Sequence, residues 1–315
     1  MADRPNGTAV IFDNGSGLFK AGMGDDDTPR VVFPTIYGKP INPNIMVGMD
    51  QKDLYVGPEA NHPQKKPLLS IFKPIKVGVI EDMENMEKIW DYTYQNELMV
   101  DRKEHPALLT EPPLNDPKKR EQLMTVFFEN IEVNHFYLSI TSVLGLYSTG
   151  RTTGLVLDSG AGVTHTVPVY EGFALPFATN QLPIAGDVLT EYLKHLLIKE
   201  AGIKVNESDP SIMEDIEKKI KEKICYVAFD IDTSRKESDD KDKVIHHTLP
   251  DGQTFSITKA HFTCPEALFQ PNSLSSMNIM NTLNMEGIHD KTFNSILKCE
   301  NHIQKSLYKN IVLIG

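Results

Sequence analysis

Two short stretches constrain this chain more than any other feature. "VIFDNGSGLFK" at residues 10–20 and "LVLDSGAGVTH" at 155–165 each place an apolar run before Asp, then Asn or Ser, Gly, Ser or Ala, and Gly. A β-rich run that enters a glycine turn and leaves it into another run reads as strand, turn, strand. Glycine in such a turn lets backbone N–H groups approach an anion, because it reaches unusual φ angles and has no Cβ to block the way. One copy serves many plain hairpins. Two copies suggest related halves whose turns grip one polyphosphate from opposite sides, with a nucleotide closing the cleft.

Asp13 and Asp158 hold the same slot in the two copies. Carboxylates there can hold the waters around a Mg²⁺ on the phosphates, or simply start the turn through an Asx contact. Their pairing favours the metal role. Lys20, on the returning strand, can set a point charge on the phosphates, although a lone lysine is more often solvated.

At 315 residues the chain exceeds a single core, so two domains are expected. A formal net charge of −11 excludes generic affinity for nucleic acid or an anionic membrane surface. Cys225, Cys264 and Cys299 are far apart in sequence and lack C-x-x-C spacing, so neither a disulfide framework nor zinc is expected. No apolar run reaches the ~18 residues of a spanning helix, which points to a soluble intracellular protein.

Residues from about 35 to 76 are rich in proline and glycine and read as a loop-rich projection, with Ile45, Met46 and Val47 as an apolar tip. The tip is either a buried anchor or a partner contact. Apolar residues recur at helical spacing in "EDMENMEKIWDYTYQNEL", and Asn115 with Pro117 opens a second helix in "PKKREQLMTVFFEN". "FYLSI" at 136–140 reads as a strand. Val188 to Lys199 forms an amphipathic helix that Gly202 ends, and another helix is expected from Ser208 to Asp230. In that helix Glu217 and Lys221 make a solvated i, i+4 pair. "DTSRKESDDKDK" reads as an exposed loop, and "LPDGQ" as a turn between strands. His246 and His247 read as ordinary exposed residues.

In order along the chain, "DNGSGLFKAGMGDDDTPRVVFP", "MVGMDQKDLYVGPEA", "NMEKIWDYTYQNEL", "HPALLTEPPLN", "GRTTGLVLDSGAGVTH", "IKEKICYVAFD", "LPDGQTFSI" and "CPEALFQP" follow one pattern: the chain resembles the actin family from about residue 8 to 315. The resemblance implies an α/β, actin-like (ribonuclease H-like) fold of two related domains around a nucleotide cleft, residues 1–150 and 151–315. It also implies ATP with Mg²⁺ or Ca²⁺. Phosphate contacts fall on Gly15, Ser16, Gly17 and Leu18, on Gly160, Ala161, Gly162 and Val163, and on Lys20. Lys221, Glu222 and Gly186 match adenosine contacts, and the loop around 40–52 matches a filament contact.

Departures from the family pattern bear on mechanism. The family places water for ATP hydrolysis with a Gln and a His; here Thr141 replaces the Gln while His165 is kept. Ala161 replaces an Asp that faces the metal's hydration shell. Asp187 stands where the family has Arg, and "NSLSSMNIMNTLNME" is a longer loop. "NIVLIG" ends at Gly315, which by resemblance is the first glycine of an adenosine turn, so the second domain is expected to be C-terminally incomplete. The expectation is a cytoplasmic, cytoskeletal ATP-binding protein with slow hydrolysis, associating with itself, other actins or actin-binding proteins. The alternative is a regulatory or scaffold subunit that does not polymerise and uses nucleotide only structurally. A small-molecule kinase lacks a spare carboxylate placed as base.

Overall fold

The computed structural model describes residues 7–42, 52–203, 210–237, 244–277 and 284–315. The apolar tip 45–47, most of the loop 40–52, Ser208 and part of the long loop after Pro271 lie outside these. The chain forms two compact units, residues 1–181 with 295–315, and residues 182–294.

The first unit opens with β1 (Val10–Asn14), β2 (Leu18–Met23) and β3 (Val31–Pro34), successive antiparallel neighbours. The stretch read as a loop-rich projection has a sheet of its own. β4 (Tyr37–Pro40) lies between β5 (Tyr55–Val56) and β6 (Leu69–Phe72), over a small core of Ile36, Tyr55, Ala60 and Leu69. Prolines at strand ends and turns leave the ladder intact, because only the missing N–H of an interior residue would break it. A second small hairpin, β7 (Ile75–Lys76) and β8 (Val79–Ile80), turns through Gly78 at φ +78°.

α1 (Met83–Tyr92) starts where the Asp82 carboxylate accepts the Asn85 amide, and it continues in wider turns to Leu98. β9 (Ala107–Glu111) follows, then α2 (Pro117–Thr125). Asp116, not Asn115, caps α2 by accepting the Lys118 amide, while Asn115 is drawn off to Glu111. β10 (Phe136–Ile140) completes a five-stranded sheet in the order β10, β9, β1, β2, β3, with β10, β9 and β1 parallel. Phe12, Phe19, Trp90, Tyr94 and Phe127 fill its buried side; the rings of Phe12 and Tyr94 meet at 5.1 Å and those of Trp90 and Phe127 at 4.9 Å. Burying rings of this size dominates the energy of the core.

After α3 (Thr141–Tyr147) the pattern repeats. β11 (Gly154–Ser159) and β12 (Thr164–Tyr170) form an antiparallel hairpin, with β13 (Phe173–Ala174) beyond β12. β14 (Asn180–Leu182) leads out of the unit. α8 (Ile288–Leu297) leads back, α9 (Asn301–Lys309) follows, and β17 (Ile311–Ile314) pairs parallel with β11. Val143, Leu146, Val156 and Val167 pack on one side of this sheet; Leu155, Ile296, Ile303 and Leu307 pack on the other. A strand buried on both faces reads as a continuous apolar run, which is what "LVL" shows.

In the second unit, α4 (Gly186–Ala201) ends at Gly202 in the left-handed conformation, φ +64°. α5 (Pro210–Asp215) continues in wider turns to Lys221, so the helix expected to Asp230 stops well short. Asp230 instead starts a new helix, α6 (Ile231–Glu237), where a loop was expected: its carboxylate takes the Asp232 amide and the Thr233 hydroxyl. The β15 (Ile245–Thr248) and β16 (Thr254–Ile257) hairpin turns at Gly252, and α7 (Ala260–Glu266) follows. His247 is not an ordinary surface residue. Its Nε2 lies 2.6 Å from the buried Asp215 carboxylate.

Candidate functional site

The two glycine turns join β1 to β2 and β11 to β12, and both belong to the first unit. Their registers match residue for residue: Asp13 pairs with Lys20 across one hairpin, and Asp158 with His165 across the other. Cross-strand partners share a face, so each hairpin presents one carboxylate and one nitrogen base together. Lys20 and His165 are therefore counterparts, a correspondence that the repeated motif already held in its spacing.

The turns adjoin. A β-carbon on Gly17 would lie 2.7 Å from the Ala161 Cβ, and one on Gly162 would lie 2.7 Å from the Ser16 Oγ. On Gly15 it would strike the Leu18 carbonyl at 2.4 Å, whereas Gly160 has only ordinary contacts. None of these four glycines has a left-handed φ. At Gly15, Gly17 and Gly162 the reason for glycine is room, not unusual backbone angles, whereas Gly160 shows neither need.

Thr35 sets the orientation of the first turn. Its Oγ1 donates to the Gly15 carbonyl at 2.7 Å and its amide to the Gly17 carbonyl at 3.0 Å. Among the described residues, the amides of Ser16, Gly17, Ala161 and Gly162 have no protein acceptor. Exposed N–H groups gathered in successive turns make an anion-directed concavity. Gly78 donates its amide to Ser16 Oγ at 3.1 Å, and a β-carbon there would meet Val163 at 2.8 Å, so the β7–β8 hairpin braces both turns.

Asp13 accepts from Lys20 Nζ at 3.3 Å and from Thr110 Oγ1 at 2.9 Å; that same Thr110 oxygen accepts the Asn14 amide at 2.9 Å. Trp90 Nε1 donates to Asn14 Oδ1 at 3.1 Å. Asp158 accepts from Ser142 Oγ at 3.3 Å. Burial raises the Asp158 carboxyl above its ordinary range; the Ser142 hydrogen bond offsets part of this, Asp13 adds to it and Lys20 reduces it. Two carboxylates thus stand within each other's field, the arrangement that a divalent cation relieves.

His165 is buried, and burial pulls its pKa down to about 4 against a hydrogen bond with Gln181 that acts the other way. It is neutral at pH 7. Thr141 Oγ1 donates to the Glu111 carbonyl at 3.3 Å, so its hydroxyl is already engaged by backbone. Glu111 itself is buried and held by Arg120 at 2.8 Å and Asn115 at 3.0 Å. Ala161 presents only a methyl group.

In the second unit Lys221 is not on a solvated face. Its Nζ donates to the Gly186 carbonyl at 3.1 Å and Thr190 Oγ1 at 2.7 Å, with Glu217 at 3.5 Å. Glu222 is exposed at the end of that helical segment. Asp187 lies in the first turn of α4, where a negative charge suits the helix dipole. Thr35, Thr110, Ser142 and Gly78 were missed from sequence. Thr110 alone left a trace, a polar residue at the end of the buried run "ALLT".

Matched hairpins, adjoining turns and paired carboxylates define an α/β protein of two repeated sheets built around glycine turns. A family model described as Actin matches residues 5–315, and the chain belongs to the actin family. Proteins of this family generally bind a nucleotide and a divalent cation. No helix among the described residues is long and apolar enough to cross a membrane.

Proposed function

We propose that the chain binds ATP with Mg²⁺ or Ca²⁺ at the two turns, hydrolyses it slowly, and assembles with itself, other actins or actin-binding proteins as a cytoskeletal component of the cytoplasm. The observation that carries this reading is the set of unpaired amides on two adjoining turns beside Asp13 and Asp158. The amides of Ser16, Gly17, Ala161 and Gly162 bind phosphate oxygens, with Leu18 and Val163 as turn closures and Gly15 and Gly160 as turn entries. Asp13 and Asp158 hold the cation through its waters, and Lys20 turns from Asp13 toward the phosphates. The parts before and after residue 150 are the two related domains, which the matching hairpin registers support.

Phosphoryl transfer to water depends on positioning and charge stabilisation. A divalent cation held by Asp13 and Asp158 would supply charge neutralisation at the phosphates. Neutral His165 orients water through a ring nitrogen without adding a charge. The Thr141 hydroxyl, held by Glu111, reaches less far than a Gln carboxamide, and Ala161 accepts no metal-bound water. Phosphate release at saturating Mg-ATP tests this. Thr141→Gln with Ala161→Asp should raise the rate at least ~10-fold, which corresponds to about 1.4 kcal/mol of barrier. An unmodified chain already as fast as the doubly restored one refutes the assignment. The engaged Thr141 hydroxyl also favours a second reading, a scaffold subunit with structural nucleotide; sedimentation with Mg-ATP separates the two, since the scaffold stays unpolymerised at any concentration.

A further inference from the structure

The cysteines are far apart in sequence, but α7 brings two of them together. Pro265 lies inside that helix and has no N–H to give to the carbonyl four residues back, that of His261. The orphaned carbonyl is taken by the Tyr226 amide at 3.1 Å, and the Tyr226 ring packs on His261 with centroids 5.5 Å apart. This bond lays the segment after Lys221 along the turn of α7 that carries Cys264. Cys225, the residue before Tyr226, is thereby brought against the turn that carries Cys264, and its thiol is the largest influence on the Cys264 thiol. Cys264 is fully buried and also donates to the Leu189 carbonyl at 3.3 Å, whereas Cys225 is half-buried. Cys299, the remaining cysteine, sits in the first unit's core and donates to the Ser295 carbonyl.

We propose that Cys225 and Cys264 are an oxidation site that peroxide converts to an intramolecular disulfide, with Cys225 as the attacking thiol and Cys264 as the resolving one. The interaction with Cys225, together with burial, holds the Cys264 thiol above its ordinary range, so Cys264 stays protonated and does not react first. Cys225 sulfur takes one oxygen of hydrogen peroxide; the O–O bond breaks, one water leaves, and a sulfenic acid remains. Cys264 sulfur attacks that sulfur, the S–O bond breaks, and a second water leaves with the Cys264 proton. Two thiols and one peroxide become one disulfide and two waters. The Leu189 carbonyl loses its S–H donor, in the helix whose first turn holds Lys221 through Gly186 and Thr190. The proposal does not depend on nucleotide binding.

The test uses the whole reduced chain, treated with hydrogen peroxide, quenched, unfolded and alkylated. Alkylatable thiols should fall from three to one, with Cys299 remaining. Peptide mapping should find Cys225 joined to Cys264, and dithiothreitol should restore all three. Cys299→Ser should still lose both thiols, and Cys225→Ser should keep Cys264 alkylatable. Three free thiols after oxidation, a bridge involving Cys299 or a second chain, or Cys225 driven to sulfinic acid with Cys264 free would each overturn it.

Discussion

Thr110→Val isolates the joint beneath the first turn. Valine keeps the shape of threonine but removes one oxygen that accepts the Asn14 amide and donates to Asp13, both at 2.9 Å. Thr110 is buried, so the Asn14 N–H is left without a partner at a cost of about 1–3 kcal/mol. Asp13 also loses a hydrogen bond to a charged acceptor, again about 1.5–3 kcal/mol. Asp13 is 29% exposed and regains part of that from water. The net loss should be about 3 kcal/mol in the first unit. The chain has one tryptophan, and Trp90 both fills that unit's core and donates to Asn14, so its fluorescence in urea follows the relevant transition. Thr110→Ser keeps the oxygen and should lose about 1 kcal/mol for the missing methyl. A Thr110→Val loss under about 0.5 kcal/mol, or equal losses for Val and Ser, would refute the two-sided role of the hydroxyl.

Acid should weaken the first unit through His165. Its folded pKa, about 4, lies below the unfolded 6.5, so the unfolded chain binds the extra proton between these values. The neutral-state contribution is complete above pH 6.5 and is lost as pH falls toward 4, about 2 kcal/mol by pH 5. Asp158, raised on folding, acts with the opposite sign just above 3.8. Urea midpoints at pH 7 and pH 5 should differ in the native chain and converge in His165→Gln. Gly162→Ala places a β-carbon 2.7 Å from Ser16 Oγ, so the turns must separate at a cost of about 1–3 kcal/mol. Calorimetric titration should show ATP affinity weakened ~5-fold or more. Gly202→Ala strains the left-handed end of α4 and should lower second-unit stability by about 1 kcal/mol in thermal unfolding.

Much of the skeleton is local chemistry and was legible along the chain. The apolar runs before Asp13 and Asp158 made strands, their glycines made turns, and the periodic segments from Met83 and Val188 made helices. Each signal lies within a few residues, where backbone preference and hydrophobic spacing act directly. Helix limits were less secure where a side chain captured a backbone group, as Asp230 does in starting α6.

What tertiary structure alone decided is the partner of each polar group. Thr110 reaches Asn14 across 96 residues, Lys221 is turned inward by Gly186 and Thr190, and His247 is claimed by Asp215. The missing N–H of Pro265 draws Tyr226 to His261 and brings the segment of Cys225 onto the helix turn that carries Cys264. A buried donor or acceptor takes whichever partner packing brings near, and no spacing along the chain encodes that choice.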